Sequence, residues 1–361
     1  MKADPLLKVL CNPADIDGLT LADWDLLVRQ ARAANLMARL SVKFDEVGSM
    51  VRIPSRPRAH FDSALVLGDK HFRDIRWEIQ CLKKTLAETA VPVILLKGAA
   101  YVAADLPSAR GRLFSDIDIM VPRQALANVE KTLMKNGWKS MHDDVYDQRY
   151  YRTWMHELPP MQHIGRKTIL DVHHNILPLT AKHHLDAKKF WEDARAISED
   201  GLLKVLSPVD MIIHSATHLF SDGEMEQGLR DLVDLDAMLR QFSTEEGFWG
   251  TLVERARNIG LAQPLYYALY YVEQLLLTPV PARIATLARQ DRPRWPGSVV
   301  MKVLLGSVLA PAHPSCDHAF TGLTRWLLYL RAHALRMPLH LLIPHLIRKA
   351  IRRGGASDEK S

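Results

Sequence analysis

Cysteine is scarce in this sequence. The chain has three cysteines, Cys11, Cys81 and Cys316, which lie far apart and form no Cys-x-x-Cys pair. A disulfide framework is therefore not expected, and a reducing compartment is the default. Internal repeats and low-complexity segments are lacking as well.

Long apolar runs are also missing. No stretch reaches the roughly 18 uninterrupted apolar residues that a membrane span needs, because Lys302 interrupts one candidate and His340 interrupts another. The first ten residues, MKADPLLKVL, make a poor signal peptide, since Asp4 and Pro5 break the apolar segment. We therefore expect a soluble, cytoplasmic protein.

The bulk composition is that of an ordinary globular protein. The chain has 361 residues, of which 48% are apolar and 24% are charged, so it can bury a full core. The net charge of +6 and the pI near 9.1 suit an anionic ligand such as a nucleotide phosphate. This excess of positive charge is too weak to require a nucleic acid as the partner.

The hydrophobic pattern changes twice along the chain. Helical periodicity covers residues 20–47 and 60–88, strand-like runs begin at residue 91, and helical periodicity returns after about residue 205. We predict an α+β fold in which a small mixed β-sheet is flanked by helices. The predicted parts are an N-terminal helical region (1–90), an α/β core (91–205) and a helical C-terminal domain with a basic tail (206–361).

Four runs in the middle of the chain predict strands. VPVILLKG is a continuous β-branched run that ends in Lys97-Gly98, which is typical of a buried strand followed by a tight turn. SDIDIMV is a second strand that Pro122 ends. LPPMQHIG and KTILDVHHNI predict two antiparallel strands with a turn at Gly165-Arg166.

Two aspartates lie one residue apart inside the second run. Residues at i and i+2 of a strand face the same way, so Asp116 and Asp118 share a face, with Cα atoms about 6.6 Å apart. Their carboxylates would repel each other by about 3 kcal/mol at an effective dielectric constant of 20. A divalent cation between them relieves this repulsion, and Mg²⁺ needs only one or two carboxylates besides substrate phosphates. The alternative is a solvated edge of an amphipathic strand.

Two more features suit a phosphate and metal site. Gly98 lets a phosphate approach the backbone at the turn, with Lys97 as the counter-charge; alternatively, Gly98 serves only the turn and Lys97 is solvated. Asp171 interrupts the apolar run of a later strand. A third carboxylate from a neighbouring strand would complete a two-metal site for phosphoryl or nucleotidyl transfer.

These motifs and their order resemble a known family. Leu-Lys-Gly at 96–98, Asp-x-Asp at 116–118 and Asp-Val-His at 171–173 resemble a bacterial branch of the DNA polymerase β-like nucleotidyltransferase superfamily. The resemblance is clearest over residues 91–178. A weaker similarity continues through the helical segments at 208–223 and 229–239.

The resemblance implies roles for individual residues. Asp116, Asp118 and Asp171 would be catalytic and would bind Mg²⁺, with two ions expected and Mn²⁺ as a substitute. Asp171 would also orient or deprotonate an acceptor hydroxyl. Lys97 and Gly98 would hold the β- and γ-phosphates of a nucleoside triphosphate, ATP being favoured.

Further candidate residues lie outside the three motifs or vary from the pattern of the superfamily. Arg112 is a further phosphate-binding candidate, and Arg110 is its rival. The serine that usually follows the glycine in the wider superfamily is here Ala99, and the resemblance implies that Lys97 replaces its contact with phosphate. His173 and His218 are candidates for the acceptor side of the site.

Three functions follow from these observations. The first is a Mg²⁺-dependent nucleotidyltransferase that moves a nucleoside monophosphate to a hydroxyl-type acceptor on a small molecule, a sugar or a protein, with release of pyrophosphate. The alternatives are a catalytically degenerate nucleotide-binding or interaction module and an Asp-x-Asp glycosyltransferase. Weak membrane-surface contact is also predicted, through the basic C-terminal helices that contain Arg325, Arg331, Arg336, Arg348, Lys349, Arg352 and Arg353.

Overall fold

The computed structural model describes residues 5–338, 340 and 342, apart from 143, 182–184 and 222–224. Among these residues, the elements before residue 93 and after residue 205 are helices, and the strands lie between residues 93 and 205. The helices are α1 (Pro5–Cys11), α2 (Leu21–Ala33), α3 (Met37–Glu46), α4 (Ser55–Ala87), α5 (Lys97–Ala103), α6 (Leu126–Lys135), α7 (Val145–Trp154), α8 (Lys188–Glu192), α9 (Pro208–Ser221), α10 (Gly228–Phe242), α11 (Phe248–Asn258), α12 (Ala262–Leu276), α13 (Ala282–Arg289), α14 (Gly297–Val308) and α15 (Thr321–Arg336). The strands are β1 (Val93–Leu96), β2 (Asp116–Met120), β3 (Trp138–Ser140), β4 (Met161–His163), β5 (Ile169–His173), β6 (Arg195–Ala196) and β7 (Leu203–Val205). The predicted α+β class is confirmed.

The strands form one mixed sheet in the order β3-β4-β5-β2-β1-β7-β6. β2 is parallel to β5 and antiparallel to β1, and β1 is parallel to β7. β4 and β5 are antiparallel, as predicted from the turn at Gly165-Arg166. The strand with the Asp-x-Asp motif therefore lies in the middle of the sheet, between the other two central strands.

Side-chain chemistry explains the central position of these strands. All four residues of β1, Val-Ile-Leu-Leu, are buried, as expected of a strand covered on both faces. In β2, Ile117 and Ile119 are fully buried in the main apolar core. Asp116 and Asp118 point to the opposite face, because successive residues of a strand alternate.

The N-terminal helices cover the segments with helical periodicity. Residues 20–47 form two helices, α2 and α3, which are separated at Asn35, where the backbone is left-handed with φ +54°. The 33-residue helix α4 begins earlier than predicted, at Ser55, and packs along α3. Rings of Trp24, Phe44 and Phe61 meet at centroid distances of 5.1–6.2 Å between these helices.

The C-terminal helices surround α9, which contacts α10, α11, α12 and α15. Buried residues from all three predicted parts of the chain belong to one apolar cluster. The division at residues 90 and 205 stays a prediction. Among the described residues, no helix is both long enough and apolar enough to cross a membrane.

Candidate functional site

Three carboxylates meet on one face of the central strands. In the parallel pair β2–β5, Asp118 lies directly opposite Asp171, and Asp116 lies opposite Ile169. Carboxylate oxygens of Asp116, Asp118 and Asp171 all lie within 4.8 Å of one another. We refer to these three residues as the acidic cluster. The structure thus brings together the three aspartates that the sequence singled out.

Asp118 is the most enclosed member of the acidic cluster, with 4% of its surface exposed. Lys97 Nζ donates to Asp118 Oδ1 at 2.8 Å, and His173 Nε2 lies 3.0 Å from the same oxygen. Burial alone would raise the pKa of Asp118, but the charge of Lys97 and the hydrogen bond from His173 hold it well below its ordinary value. Asp118 is therefore ionised. The alternative of a solvated strand edge is wrong for this residue.

Asp171 has the opposite electrostatic environment. Burial raises its pKa to about 7, and the neighbouring carboxylate of Asp118 shifts it in the same direction. Its Oδ1 is buried and has no hydrogen-bond partner among the described residues. A buried acceptor without a partner is costly unless a ligand or an ion supplies one.

The donor set of the acidic cluster fits a hard divalent cation. Carboxylate oxygens are the ligands that Mg²⁺ and Mn²⁺ prefer. The unpartnered oxygen belongs to Asp171, and the ammonium group of Lys97 pairs with Asp118. Asp116 is partly exposed and accepts a hydrogen bond from Ser115 Oγ at 2.7 Å. The acidic cluster is therefore open to solvent at Asp116.

The turn after β1 carries its strain at Lys97 rather than at Gly98. Lys97 has φ +44°, in the left-handed region that non-glycine residues rarely adopt, whereas Gly98 is an ordinary helical residue of α5. A Cβ on Gly98 would lie 2.7 Å from the Phe114 ring and 3.1 Å from Arg112 Nε. Gly98 is therefore needed for close packing of Phe114, and the structure brings only Lys97 of this pair to the acidic cluster.

Arg112 belongs to a second buried group of charges, which we call the arginine cluster (Arg39, Arg112 and Asp234). Arg112 Nη1 donates to Asp234 Oδ2, and Arg39 Nη2 donates to Asp234 Oδ1 at 2.8 Å. Arg39 also donates to the carbonyls of Pro107 and Ser108. This cluster joins α3, α10 and the segment before β2. One donor of Arg112, the buried Nε beside Gly98, has no partner among the described residues.

The two histidines predicted on the acceptor side lie near the acidic cluster. His173 Nδ1 is 3.1 Å from Glu157 Oε2, so this ring connects Asp118 to Glu157. Burial and the charge of Lys97 hold the pKa of His218 on α9 well below its ordinary value. Burial also lowers the pKa of His214 to about 3. Tyr101 of α5 and Ser215 of α9 share a hydrogen bond of 2.6 Å, which seats α9 against the turn.

Sequence reasoning missed Glu157 and His156. They follow α7 in WMHELPP, where neither helical nor strand periodicity marks them. Their place is set by an isolated β-bridge between Glu157 and His173. Tyr151 was also missed; burial and then the charge of Glu157 raise its pKa, and Asp171 contributes in the same direction, which places this aromatic ring beside the site.

The described part of the basic tail is less exposed than expected. Arg331 Nη1 donates to the carbonyl of Phe220 at 2.8 Å, and burial lowers the pKa of Arg336, which lies near Tyr150 and Glu157. Arg325 lies 3.4 Å from Asp317 at the surface. The remaining predicted tail cations, Arg348, Lys349, Arg352 and Arg353, lie outside the described residues.

Comparison with known proteins gives one family. The sequence model of a family described as uncharacterised nucleotidyltransferase matches residues 20–277. The match covers the acidic cluster, the arginine cluster, α9 and α10. No curated protein and no solved structure matches the chain.

Proposed function

The chain belongs to the uncharacterised nucleotidyltransferase family, and from this premise we propose that it is a metal-dependent nucleotidyltransferase whose reaction takes place at the acidic cluster. The observation that carries the proposal is the unpartnered Oδ1 of Asp171 among three carboxylates whose oxygens lie within 4.8 Å of one another. Such a site has a surplus of negative charge that the described residues do not balance.

The reaction transfers a nucleoside monophosphate from a nucleoside triphosphate, with ATP as the favoured donor, to a hydroxyl group. The acceptor oxygen forms a bond to the α-phosphorus, and the bond from that phosphorus to the bridging oxygen breaks, so pyrophosphate leaves. Asp171 takes the proton of the acceptor hydroxyl. In the metal-free chain, burial raises the pKa of Asp171 to about 7, which makes its carboxylate a stronger base than that of an ordinary aspartate.

Asp116, Asp118 and Asp171 would hold Mg²⁺, with two ions proposed and Mn²⁺ as a substitute. The bound metal would supply neutralisation of the triphosphate charge in transfer of this kind. Lys97 and His173 keep Asp118 ionised and fix its carboxylate. These contacts preorganise the ligand set before the nucleotide binds.

Phosphate binding by Lys97, Gly98 and Arg112 stays a prediction. Lys97 is its best-supported member, because its ammonium group already lies at the acidic cluster. Phe114 covers Gly98, and Asp234 engages Arg112. We therefore assign these two residues mainly to the connection between the turn and α10.

The acceptor side is proposed to lie toward α7 and α9. His218 of α9 and Tyr151 of α7 approach the acidic cluster from these helices. His173 bridges two carboxylates, so we assign it to positioning Asp118. The proposed acceptor is a hydroxyl group of a small molecule, a sugar or a protein.

The test is pyrophosphate release from each nucleoside triphosphate with Mg²⁺, with and without cell extract as a source of acceptor. We expect release by the wild-type chain and its loss in Asp116→Ala and Asp118→Ala. Asp74→Ala, which changes an exposed residue paired with Lys70, is the matched control and should keep full activity.

The alternatives predict other results, which assays of nucleotide binding and of nucleotide-sugar consumption measure. Tight binding of a nucleoside triphosphate without turnover on any acceptor would support a degenerate binding module. Consumption of a nucleotide sugar would support a glycosyltransferase. Either result would contradict the proposal.

Membrane contact and a cytoplasmic location stay predictions. Leu323, Trp326 and Leu327 of α15 expose 38–55% of their surfaces, and Arg325 lies among them. This arrangement suits the predicted surface contact through α15. Binding to anionic vesicles, and its loss in Trp326→Ser, would measure it.

A further inference from the structure

A second group of metal-ligating side chains lies beside the acidic cluster. Ligand atoms of His156, Glu157 and His173 all lie within 4.8 Å of one another. We refer to these three residues as the histidine–glutamate group. His173 ends β5, and the other two residues precede β4.

Backbone hydrogen bonds hold the group in place. His174 N donates to the carbonyl of His156 at 2.7 Å, and Leu158 N donates to the carbonyl of Val172 at 2.9 Å. Together with the bridge between Glu157 and His173, they fix the segment against the end of β5. The positions of the three donors thus follow from the sheet and not from flexible side chains alone.

One donor of the group has no partner. His156 Nδ1 is buried and makes no hydrogen bond among the described residues. Its ring lies 5.2 Å from the ring of His173 at an angle of 30°. Leaving a buried ring nitrogen unbonded is unfavourable, and an imidazole nitrogen of this kind is a common metal ligand.

The contacts of His173 match those of a metal-ligating histidine. Such a ring donates its other N–H to a carboxylate, which fixes its orientation. His173 Nε2 has this contact with Asp118 Oδ1 at 3.0 Å, while its Nδ1 lies beside Glu157. Asp118 would then connect the two groups as a ligand of the acidic cluster and the support of His173.

From these contacts we infer that His156, Glu157 and His173 bind a transition-metal ion of the zinc class, separate from the ion or ions of the acidic cluster. Two imidazoles and one carboxylate are a protein ligand set of zinc sites. Imidazole suits Zn²⁺ and Co²⁺, whereas Mg²⁺ prefers oxygen ligands only. The inference goes beyond the proposed function and does not require turnover of a nucleotide.

The test is titration of the full-length chain with Co²⁺, whose visible absorption is weak in water and strong in a four-coordinate protein site with nitrogen ligands. With excess Mg²⁺ present to occupy the acidic cluster, we expect saturable binding of one Co²⁺ per chain and displacement of this Co²⁺ by Zn²⁺. The variants His156→Ala and Glu157→Gln should weaken this binding at least about 10-fold.

Two control variants separate this site from other ligands. His60→Ala removes an exposed histidine, and Asp116→Asn alters the acidic cluster only; both should bind Co²⁺ like the wild type. Circular dichroism and thermal unfolding check the fold of each variant. If His156→Ala does not fold, the nearly isosteric Glu157→Gln decides the question.

Two results would overturn the inference. One is the absence of the strong Co²⁺ absorption in the wild-type chain, and the other is a titration of Glu157→Gln that superimposes on that of the wild type. Because the readout is metal absorption, a chain that fails to release pyrophosphate can still confirm the site, and an active chain can still refute it.

Discussion

The acidic cluster and the arginine cluster are two groups of charged side chains in one fold. They differ in whether their carboxylate oxygens have hydrogen-bond partners. In the arginine cluster, both oxygens of Asp234 accept hydrogen bonds from guanidinium groups. In the acidic cluster, Asp171 has an oxygen with no partner among the described residues and a pKa raised by burial. A carboxylate balanced within the chain joins structural elements, whereas an unbalanced one is suited to a cation from outside.

The largest effect on stability is expected at the arginine cluster. Asp234→Ala leaves Arg39 and Arg112 buried without their counter-ion, and breaking a buried pair costs about 3–5 kcal/mol. Urea unfolding of the variant measures this cost. Asp74→Ala, at an exposed pair, should cost less than about 1 kcal/mol. Equal costs for the two variants would contradict a structural role for Asp234.

A smaller effect is expected where the two clusters meet, at Gly98. A Cβ there would lie 2.7 Å from the Phe114 ring, so Gly98→Ala should lower the free energy of unfolding by about 1–3 kcal/mol. A methyl group added to Gly250 in α11 would meet nothing within 4 Å beyond the backbone of its own helix. Gly250→Ala should therefore stabilise the chain by roughly 0.5–1 kcal/mol. Destabilisation of similar size in both variants would show that packing at Gly98 is not the cause.

The smallest effect on stability is expected at Asp171, where the substitution should stabilise the chain rather than destabilise it. Without divalent cations the folded chain binds more protons at Asp171 than the unfolded chain does between pH 3.8 and about 7. Stability from this residue is therefore lost as the pH rises through that window. Asp171→Asn should raise Tm by roughly 1 °C near pH 8 and have less effect near pH 4.

Chelator-treated protein is needed for this measurement, which follows Tm by circular dichroism from about pH 4 to about pH 8. Adding Mg²⁺ should stabilise the wild-type chain more than Asp171→Asn, since a ligand stabilises the state that binds it. A difference in Tm that does not change with pH would contradict the assignment of the raised pKa to Asp171.

Local pattern was sufficient to place the acidic cluster. Alternation along β2 put Asp116 and Asp118 on one face, and the apolar context of Asp171 indicated a neighbouring strand; the register of β2 and β5 brings these residues together. The predicted strands and the turn at Gly165-Arg166 follow from the same short-range signals. Short-range patterns of this kind indicate which residues of a single helix or strand are buried.

The arginine cluster and the histidine–glutamate group could not be predicted in this way. Arg39 and Asp234 are 195 residues apart in the sequence, and periodicity carries no information on which distant charges meet. Glu157 lies in an irregular segment, which backbone hydrogen bonds to the end of β5 and a bridge to His173 hold in position. The role of Gly98 depends on the ring of Phe114, which reaches it through tertiary packing.

The most direct test of the central claim is the binding of Mn²⁺ to the acidic cluster in the presence of a non-hydrolysable nucleoside triphosphate analogue, followed by electron paramagnetic resonance. We predict saturable Mn²⁺ binding that excess Mg²⁺ displaces, that Glu157→Gln retains and that Asp118→Asn weakens at least about 10-fold. Mg²⁺-displaceable binding that is unchanged in Asp118→Asn, or its absence in the wild-type chain, would contradict the account.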